Sequence, residues 1–259
     1  ANDETPNFLF RNRGDGTFEE IGMEVGVALD RHGETEAGMG VDVGDVNGDL
    51  LLDIHVTNYA YETNAPYVQE PGGFFHNADA SSGLAAHSYV PLTFGMSLFD
   101  SDLDGDLDIF AACGHIMDDP NASGGMGPRQ PDLLFRNRGD GAFENISQQA
   151  GPYFKERRIG RGVAFGDYDN DGDTDIIIVN KNDHCVLLEN RSPHGHYVRL
   201  KLIGPKSNRD GFGARVFVER KGKKQVHEVR SAKSYASASD PRLIIGLGSS
   251  GPPERIIIR

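Results

Sequence analysis

Tryptophan is missing from this chain of 259 residues, and cysteine occurs only twice. No stretch comes near the ~20 consecutive apolar residues that a membrane-spanning helix needs, so membrane insertion is not expected. Without a CxxC pair or a CxxCH there is no signal for a zinc ribbon or a covalently attached haem. Cys113 and Cys185 lie in different repeats, and two buried free thiols are the expectation. Gly-x-Ser-x-Gly, P-loop and His-Glu-x-x-His patterns are absent as well. Basic charge is scarce: 26 Lys and Arg stand against 39 Asp and Glu, a formal −13 that argues against nucleic acid as a partner. The 33 Gly and 13 Pro fit a turn-rich all-β protein.

What the chain does have is clustered aspartate. Gly166 to Ile176, GDYDNDGDTDI, sets Asp167, Asp169, Asp171, Asp173 and Asp175 at alternate positions, with Gly172 sixth. Two unit charges ~5 Å apart cost roughly 3 kcal/mol even at an effective dielectric of about 20, so such a loop needs a neutralising cation. Oxygen-only ligands with a Gly at the sixth place suit hard Ca²⁺ better than Zn²⁺ or Cu²⁺. An EF-hand would close with a Glu at position 12; here that place is Ile178 in a β-branched run, so a strand follows. FDSDLDGDLDI repeats the pattern with Asp100, Asp102, Asp104, Asp106 and Asp108. GDVNGDLLLDI is a sparser version with Asp45, Asn47, Asp49 and Asp53, in which the seventh ligand becomes the backbone carbonyl of Leu51. A lone DxDG is compatible with a solvated turn; three copies in one register, each running into Asp-Ile and an apolar strand, point to three Ca²⁺ sites. Thirteen of the 39 acidic residues lie in these loops.

The loops belong to a larger repeat. FLFRNRGDGTFEEI (8–21) returns as LLFRNRGDGAFENI (133–146), with weaker echoes at 72–79 and 185–192. Asn12, Asn77, Asn137 and Asn190 serve as markers, 65, 60 and 53 residues apart. One unit is then strand, Asp loop, strand, linker, strand ending in Asn, Gly-Asp-Gly turn, strand. Four short strands per ~60 residues predict an all-β, partial β-propeller of about three four-stranded blades, assigned to 1–193. In the third unit the strands are expected near 161–166, 174–180, 184–190 and after His196. Segments 59–71 and 114–131 read as long Gly/Pro-rich loops, where binding usually lives. From His196 the strands are joined by basic turns (Lys201, Lys206, Lys221, Lys223, Lys224), and a second, small β-rich domain is placed at 194–259. Neither an initiator Met nor a signal-peptide pattern opens the chain, so a processed or partial piece of something longer is expected.

The repeats resemble the FG-GAP/VCBS family, through VAFGDYDNDGDTDIIIV and MSLFDSDLDGDLDIF. The C-terminal stretch looks like the ASPIC/UnbV domain, through SNRDGFGARV (207–216), Tyr235 with Ser237, and DPRLIIGLG (240–248). Together they are similar to the proteins related to cartilage acidic protein. The resemblance implies a secreted or cell-surface calcium-binding propeller, commonly seven-bladed. Only about three blades are present, so the remaining ones are expected from other parts of the same chain or from another copy. Related domains also occur in enediyne biosynthesis, which keeps an enzyme role open.

Other candidates compete with the loops. Arg-Gly-Asp occurs at 13–15 and 138–140, in a turn the repeat requires anyway. Asn121, Asn145 and Asn190 begin glycan-acceptor triplets, of which only Asn121 falls in a loop. His55, His115 and Tyr61, with Tyr59 and Arg129, could form a proton-abstracting site of the kind used by polysaccharide lyases or a cyclase; the bland reading is of loop histidines bonded to backbone. The preferred expectation is a calcium-stabilised binding or assembly scaffold, extracellular, on the cell surface or periplasmic, with a protein or glycan partner. Outside cells calcium is millimolar, so even sites of ~10⁻⁴–10⁻³ M are filled.

Overall fold

The computed structural model describes residues 1–206, 208–249 and 251–259. Its sheets are antiparallel throughout, and helix is confined to single turns. A hairpin of β1 (Phe10–Asn12) and β2 (Phe18–Glu20) comes first. A four-stranded sheet follows, in the order β3 (Val41–Gly44), β4 (Asp53–Val56), β5 (Ala65–Gln69) and β6 (Phe75–Asn77). The second runs β7 (Thr93–Phe99), β8 (Asp108–Cys113), β9 (Leu133–Asn137) and β10 (Phe143–Asn145). The third has three strands, β11 (Gly160–Gly166), β12 (Asp175–Asn180) and β13 (Val186–Leu188). Each Asp loop joins the first two strands of its sheet.

Three expectations are corrected here. Segment 59–71 is not a loop: Ala65–Gln69 is the third strand of the first sheet, with Pro66 opposite His55. Pro66 has no N–H to give, which makes the run read as non-strand, yet its carbonyl still accepts the N–H of Ala78 at 2.8 Å. The register also moves the repeat marker. Gln69, not Asn77, holds the place of Asn137 and Asn190, because Asp53 binds the N–H of Gln69 as Asp108 and Asp175 bind those of the two asparagines. Asn77 ends the fourth strand. The segment after His196 is likewise not a fourth strand of the third sheet: β14 (His196–Leu200) pairs with β17 (Leu243–Gly248). A second small sheet, β16 (Lys223–Glu228), β15 (Arg215–Arg220) and β18 (Arg255–Ile258), completes the C-terminal module. Val216, Val218, Val229, Ile245 and Leu247 form its own core.

Alternation along the strands puts one face of the second sheet on the first sheet and the other on the third. Phe135 and Phe143 pack against Val46 and Leu84 of the first unit. Phe110, Ala112 and Leu134 pack against Phe154, Phe165, Ile176 and Ile178 of the third. Fully buried side chains of this size contribute about 1.5–3 kcal/mol each. The first strands crowd together at their starts: a Cβ at Gly95 would stand 2.5 Å from the carbonyl oxygen of Arg161 on β11. Segment 230–242 runs along these strands. Ser234 N donates to Val41 O (2.9 Å), Tyr235 meets Phe94 edge to face (5.0 Å between centroids) and Asp240 N donates to Phe165 O (2.9 Å).

The marker asparagines bind successive units together. Asn137 Nδ2 donates to Val46 O in the loop of the preceding sheet (2.8 Å) and to Leu107 O (3.0 Å), while its Oδ1 accepts from Gly139 N (2.9 Å). Asn190 Nδ2 likewise reaches Ser101 O at 2.9 Å. Asn12 is exposed, and among the described residues its side chain holds only Gly14 N. Asn137→Ala therefore leaves buried carbonyls unpaired and is expected to lower unfolding free energy by about 1–3 kcal/mol, against less than about 0.5 kcal/mol for Asn12→Ala. Urea midpoints of the two variants check this, and equal losses would contradict the tie between units.

Candidate metal centre

The three loops share one backbone path despite different residues. In each, positions four and six take left-handed φ: Gly48 (77°) and Leu50 (72°), Leu103 (56°) and Gly105 (104°), Asn170 (64°) and Gly172 (107°). The first loop places its glycine at position four rather than six, and so keeps the same turn with Leu50 in the strained place.

Position nine does the same work in all three. Asp53 Oδ2 accepts from Val46 N (3.0 Å), Asp108 Oδ2 from Ser101 N (3.1 Å) and Asp175 Oδ2 from Tyr168 N (3.1 Å), which closes each loop. The other oxygen accepts the N–H at the end of the third strand: Gln69 (2.9 Å), Asn137 (2.8 Å) and Asn190 (2.9 Å). At position one, Asp45 accepts from Gly48 N (2.8 Å) and Leu50 N (2.9 Å), and Asp100 from Asp104 N (3.1 Å) and Gly105 N (2.9 Å).

Positions one, three and nine converge. Carboxylate oxygens of Asp100, Asp102 and Asp108 lie within 4.8 Å of one another, as do those of Asp167, Asp169 and Asp175, so each trio could hold a metal ion. In the first loop Asn47 replaces the third carboxylate; its Oδ1 accepts from Asp49 N (3.0 Å) and its Nδ2 donates to Asp49 Oδ2 (3.1 Å). Asp104, Asp106, Asp171 and Asp173, at positions five and seven, lie outside the two trios, and Leu51 is half-buried at position seven of the first loop. The donor set fits a hard cation: Oδ1 of Asp102, Asp167 and Asp173 is buried with no hydrogen-bond partner among the described residues.

Burial without a counter-charge drives these groups toward protonation. Asp100 is raised well above the usual carboxylate range by desolvation and then by Asp104 and Asp108. Desolvation pushes Asp53 and Asp108 up to about 6, and desolvation with Asp171 takes Asp173 to about 7.

The histidine and tyrosine candidates sit in different surroundings. His55 is 2% exposed, its ring against Phe143 (5.8 Å between centroids), and desolvation lowers it to about 4. It occupies the place of Phe110 and Ile177 in the next two sheets, a core position rather than a loop mouth. His115 meets Tyr59 edge to face (5.3 Å) and its Nδ1 accepts from Met117 N (3.1 Å); Tyr61 meets Tyr89 edge to face, and Arg129 pairs with Asp183. Of the thiols, Cys113 is buried as expected, but Cys185 is exposed, because it precedes a short outer strand with no further strand beyond it.

Residues of the C-terminal module also reach the loops, and nothing in the loop motif announces them. Gly248 N donates to Leu103 O (2.8 Å) and Gln225 Nε2 to Gly105 O (3.0 Å). Tyr197 OH donates to Asp171 O (3.3 Å), and Arg199 and Arg242 meet Asp167 and Asn170. The basic turns after His196 were the available signal for this contact.

Sheets of this order, each with an aspartate loop between its first two strands, define an all-β repeat protein. The chain belongs to the FG-GAP-like repeat family, whose model matches residues 1–56 and 100–178. The ASPIC and UnbV family model matches residues 204–259. Among individual proteins, cartilage acidic protein 1 of Homo sapiens is 30% identical over 207 residues, 77% of this chain and 29% of that protein. The Mus musculus protein of the same name is 28% identical over 207 residues, again 77% and 29%. The chain spans less than a third of the length of these curated relatives.

The raised carboxylates outnumber His55 and His227, which burial lowers to about 4 and which act in the opposite sense, and so fix the sign of a pH dependence. A carboxylate whose folded pKa lies above its unfolded value binds extra protons in the folded state, so stability falls as pH rises from about 4 through 6–7. Chelator-treated protein is expected to be more stable at pH 5.5 than at pH 7.5 by roughly 1–3 kcal/mol. Urea unfolding at the two pH values measures it; greater stability at pH 7.5 would contradict the cation-free electrostatics described above.

Proposed function

We propose that this chain is part of a calcium-stabilised, extracellular β-propeller that serves as a binding or assembly scaffold. The observation that carries the calcium reading is the convergence of three carboxylates in one register in two loops, with buried oxygens left unpartnered. An all-oxygen donor set favours Ca²⁺, and millimolar extracellular calcium suits sites of modest affinity. Asp100, Asp102 and Asp108 would hold one ion, and Asp167, Asp169 and Asp175 another. Asp104, Asp106, Asp171 and Asp173 add negative potential around them. The first loop would hold a third ion through Asp45, Asn47, Asp53 and the Leu51 carbonyl, with Asp49 beside it and one fewer charge in the inner set. The ion's part is to neutralise each loop while the position-nine aspartate ties it to the third strand. The name of the relatives is in keeping with a matrix location, and no helix is long and apolar enough to cross a membrane.

Exposure at the two ends of the array supports a ring with further blades. Leu133, Phe135 and Phe143 are 8%, 0% and 5% exposed, but their equivalents in the first hairpin, Phe8, Phe10 and Phe18, are 56%, 58% and 62% exposed. At the other end Ile177, Val179 and Leu187 are 42%, 49% and 49% exposed, where Phe110, Ala112 and Leu134 are 0%, 0% and 8%. Within the array these two kinds of face are covered by the neighbouring blades. Further blades, from the same longer chain or from a second copy, would cover both ends, and the outer surface of the ring would meet a protein or glycan partner.

Calcium that binds only the folded state adds RT ln(1 + [L]/Kd), about 2.7 kcal/mol per site at a hundredfold excess over Kd. Two such sites raise the melting midpoint on the order of 10 °C. Calorimetry at pH 7.5 in millimolar calcium and after EDTA tests this, with Asp108→Ala expected to remove part of the difference. An unchanged midpoint would exclude structural calcium.

A further inference from the structure

Asp167 is held differently from its counterparts. Asp45 and Asp100 accept N–H groups of their own loops. Asp167 Oδ2 is instead bound by a guanidinium, that of Arg199 on β14, at 2.5 Å. The same Nη1 lies 3.3 Å from Asn170 Oδ1. Arg242 adds Nη1 to Asn170 Oδ1 and Nη2 to Asp167 O, each at 2.9 Å, and is itself held by Asp240. The Asp167 side chain is 0% exposed, and its Oδ1 has no partner among the described residues. Arg199 thus bonds one of the three carboxylates that converge in this loop.

We propose that Arg199 is a resident competitor for the third cation site, so that cation affinity there is set by the seating of the 196–259 module. The proposal rests on the calcium reading above. A guanidinium on Oδ2 already neutralises much of Asp167, and a dication binding oxygens at 2.3–2.6 Å must displace or repel it. Binding linkage is reciprocal, so a cation that loosens Arg199 loosens the module, and removal of Arg199 tightens the cation. Among the described residues the second loop carries no such arginine: its module hydrogen bonds are to the carbonyls of Leu103 and Gly105. Arg199 therefore makes the third site weaker than a five-aspartate loop is by itself.

The third loop can be read selectively. It contains Tyr168 and is bonded by Tyr197, whereas the loops at 45–53 and 100–108 contain neither Tyr nor Trp. Tyrosine-sensitised Tb³⁺ luminescence, with Ca²⁺ as competitor, is titrated into the whole chain, into Arg199→Ala and Arg199→Gln, and into Arg215→Ala as a control for net charge on the same module. Circular dichroism establishes which variants fold, and the Gln variant retains the length of the side chain. The expected result is at least about tenfold tighter Tb³⁺ binding in both Arg199 variants, within the roughly 5–150-fold range of coupled sites, with Arg215→Ala near wild type. Luminescence that appears only in the Arg199 variants equally supports the proposal. Saturable wild-type luminescence that Arg199→Ala leaves unchanged or weakens overturns it and leaves the calcium reading standing. Equal tightening by Arg215→Ala overturns it in favour of general electrostatics. No sensitised, Ca²⁺-competed signal in any variant overturns the proposal and the calcium reading of this loop together.

Discussion

The aspartate at position nine is the constraint on which each repeat depends. Asp53, Asp108 and Asp175 each use one oxygen to close a loop and the other to hold the end of the third strand. A charged acceptor makes such N–H bonds stronger than neutral ones, and a buried N–H left without it costs about 1–3 kcal/mol. One side chain thus fixes a loop, a hairpin and the adjoining strand in a single register. Asp108 and Asp175 also belong to the two trios in which like charges crowd, so the residue that organises the fold creates the need for a counter-charge. A proton or a cation would satisfy that need, and at neutral pH a cation would do so without giving up the charge-assisted bonds.

The loops are legible in the sequence because their spacing is a backbone requirement. The first loop shows how strict that requirement is: it moves its glycine to position four, keeps Leu50 left-handed at position six, and still closes through Asp53. Strand order within a unit is legible for the same reason, since apolar runs flank each loop. What misleads is chemistry that looks special in one dimension. Pro66 hides a strand because its missing N–H suggests a loop, although it pairs beside a histidine that also needs no exposure. His55 draws a catalytic reading from its place after Asp53, but the strand period sends it to the face that holds Phe110 in the next sheet. Asn77 imitates the marker asparagines, while Gln69 holds the marker's register. Cys185 looks like an internal residue only if a fourth strand is assumed beyond β13.

Repeat packing explains why apolar residues of identical type differ so much in burial. Each sheet cannot bury both faces alone; a neighbour covers one and a second neighbour the other. Phe10 and Phe135 come from nearly identical segments, yet one is 58% exposed and the other 0%, because only the second has a preceding unit against it. The difference lies in position within the array, which no local pattern encodes. The same holds for Ile177 against Phe110.

Charge accounts for the placement of the C-terminal module. Residues 194–259 hold 14 Lys and Arg against 5 Asp and Glu, a formal +9, while the first 193 residues hold 12 against 34, a formal −22. Attraction between such bodies is long-ranged and unspecific, and screening confines it to about 8–10 Å at physiological salt. Specificity comes from hydrogen bonds, and most of those to the loops end on backbone carbonyls, at Leu103, Gly105, Asp167 and Asp171. Carbonyl contacts leave the carboxylates of the second loop available to a cation, so a filled second site and a seated module are compatible. Among the described residues an arginine of the module takes a loop carboxylate only at Asp167, where a cation would have to compete with it. Long-range complementarity favours the module against the acidic loops, and the Arg199–Asp167 ion pair would set the module against a cation in the third loop.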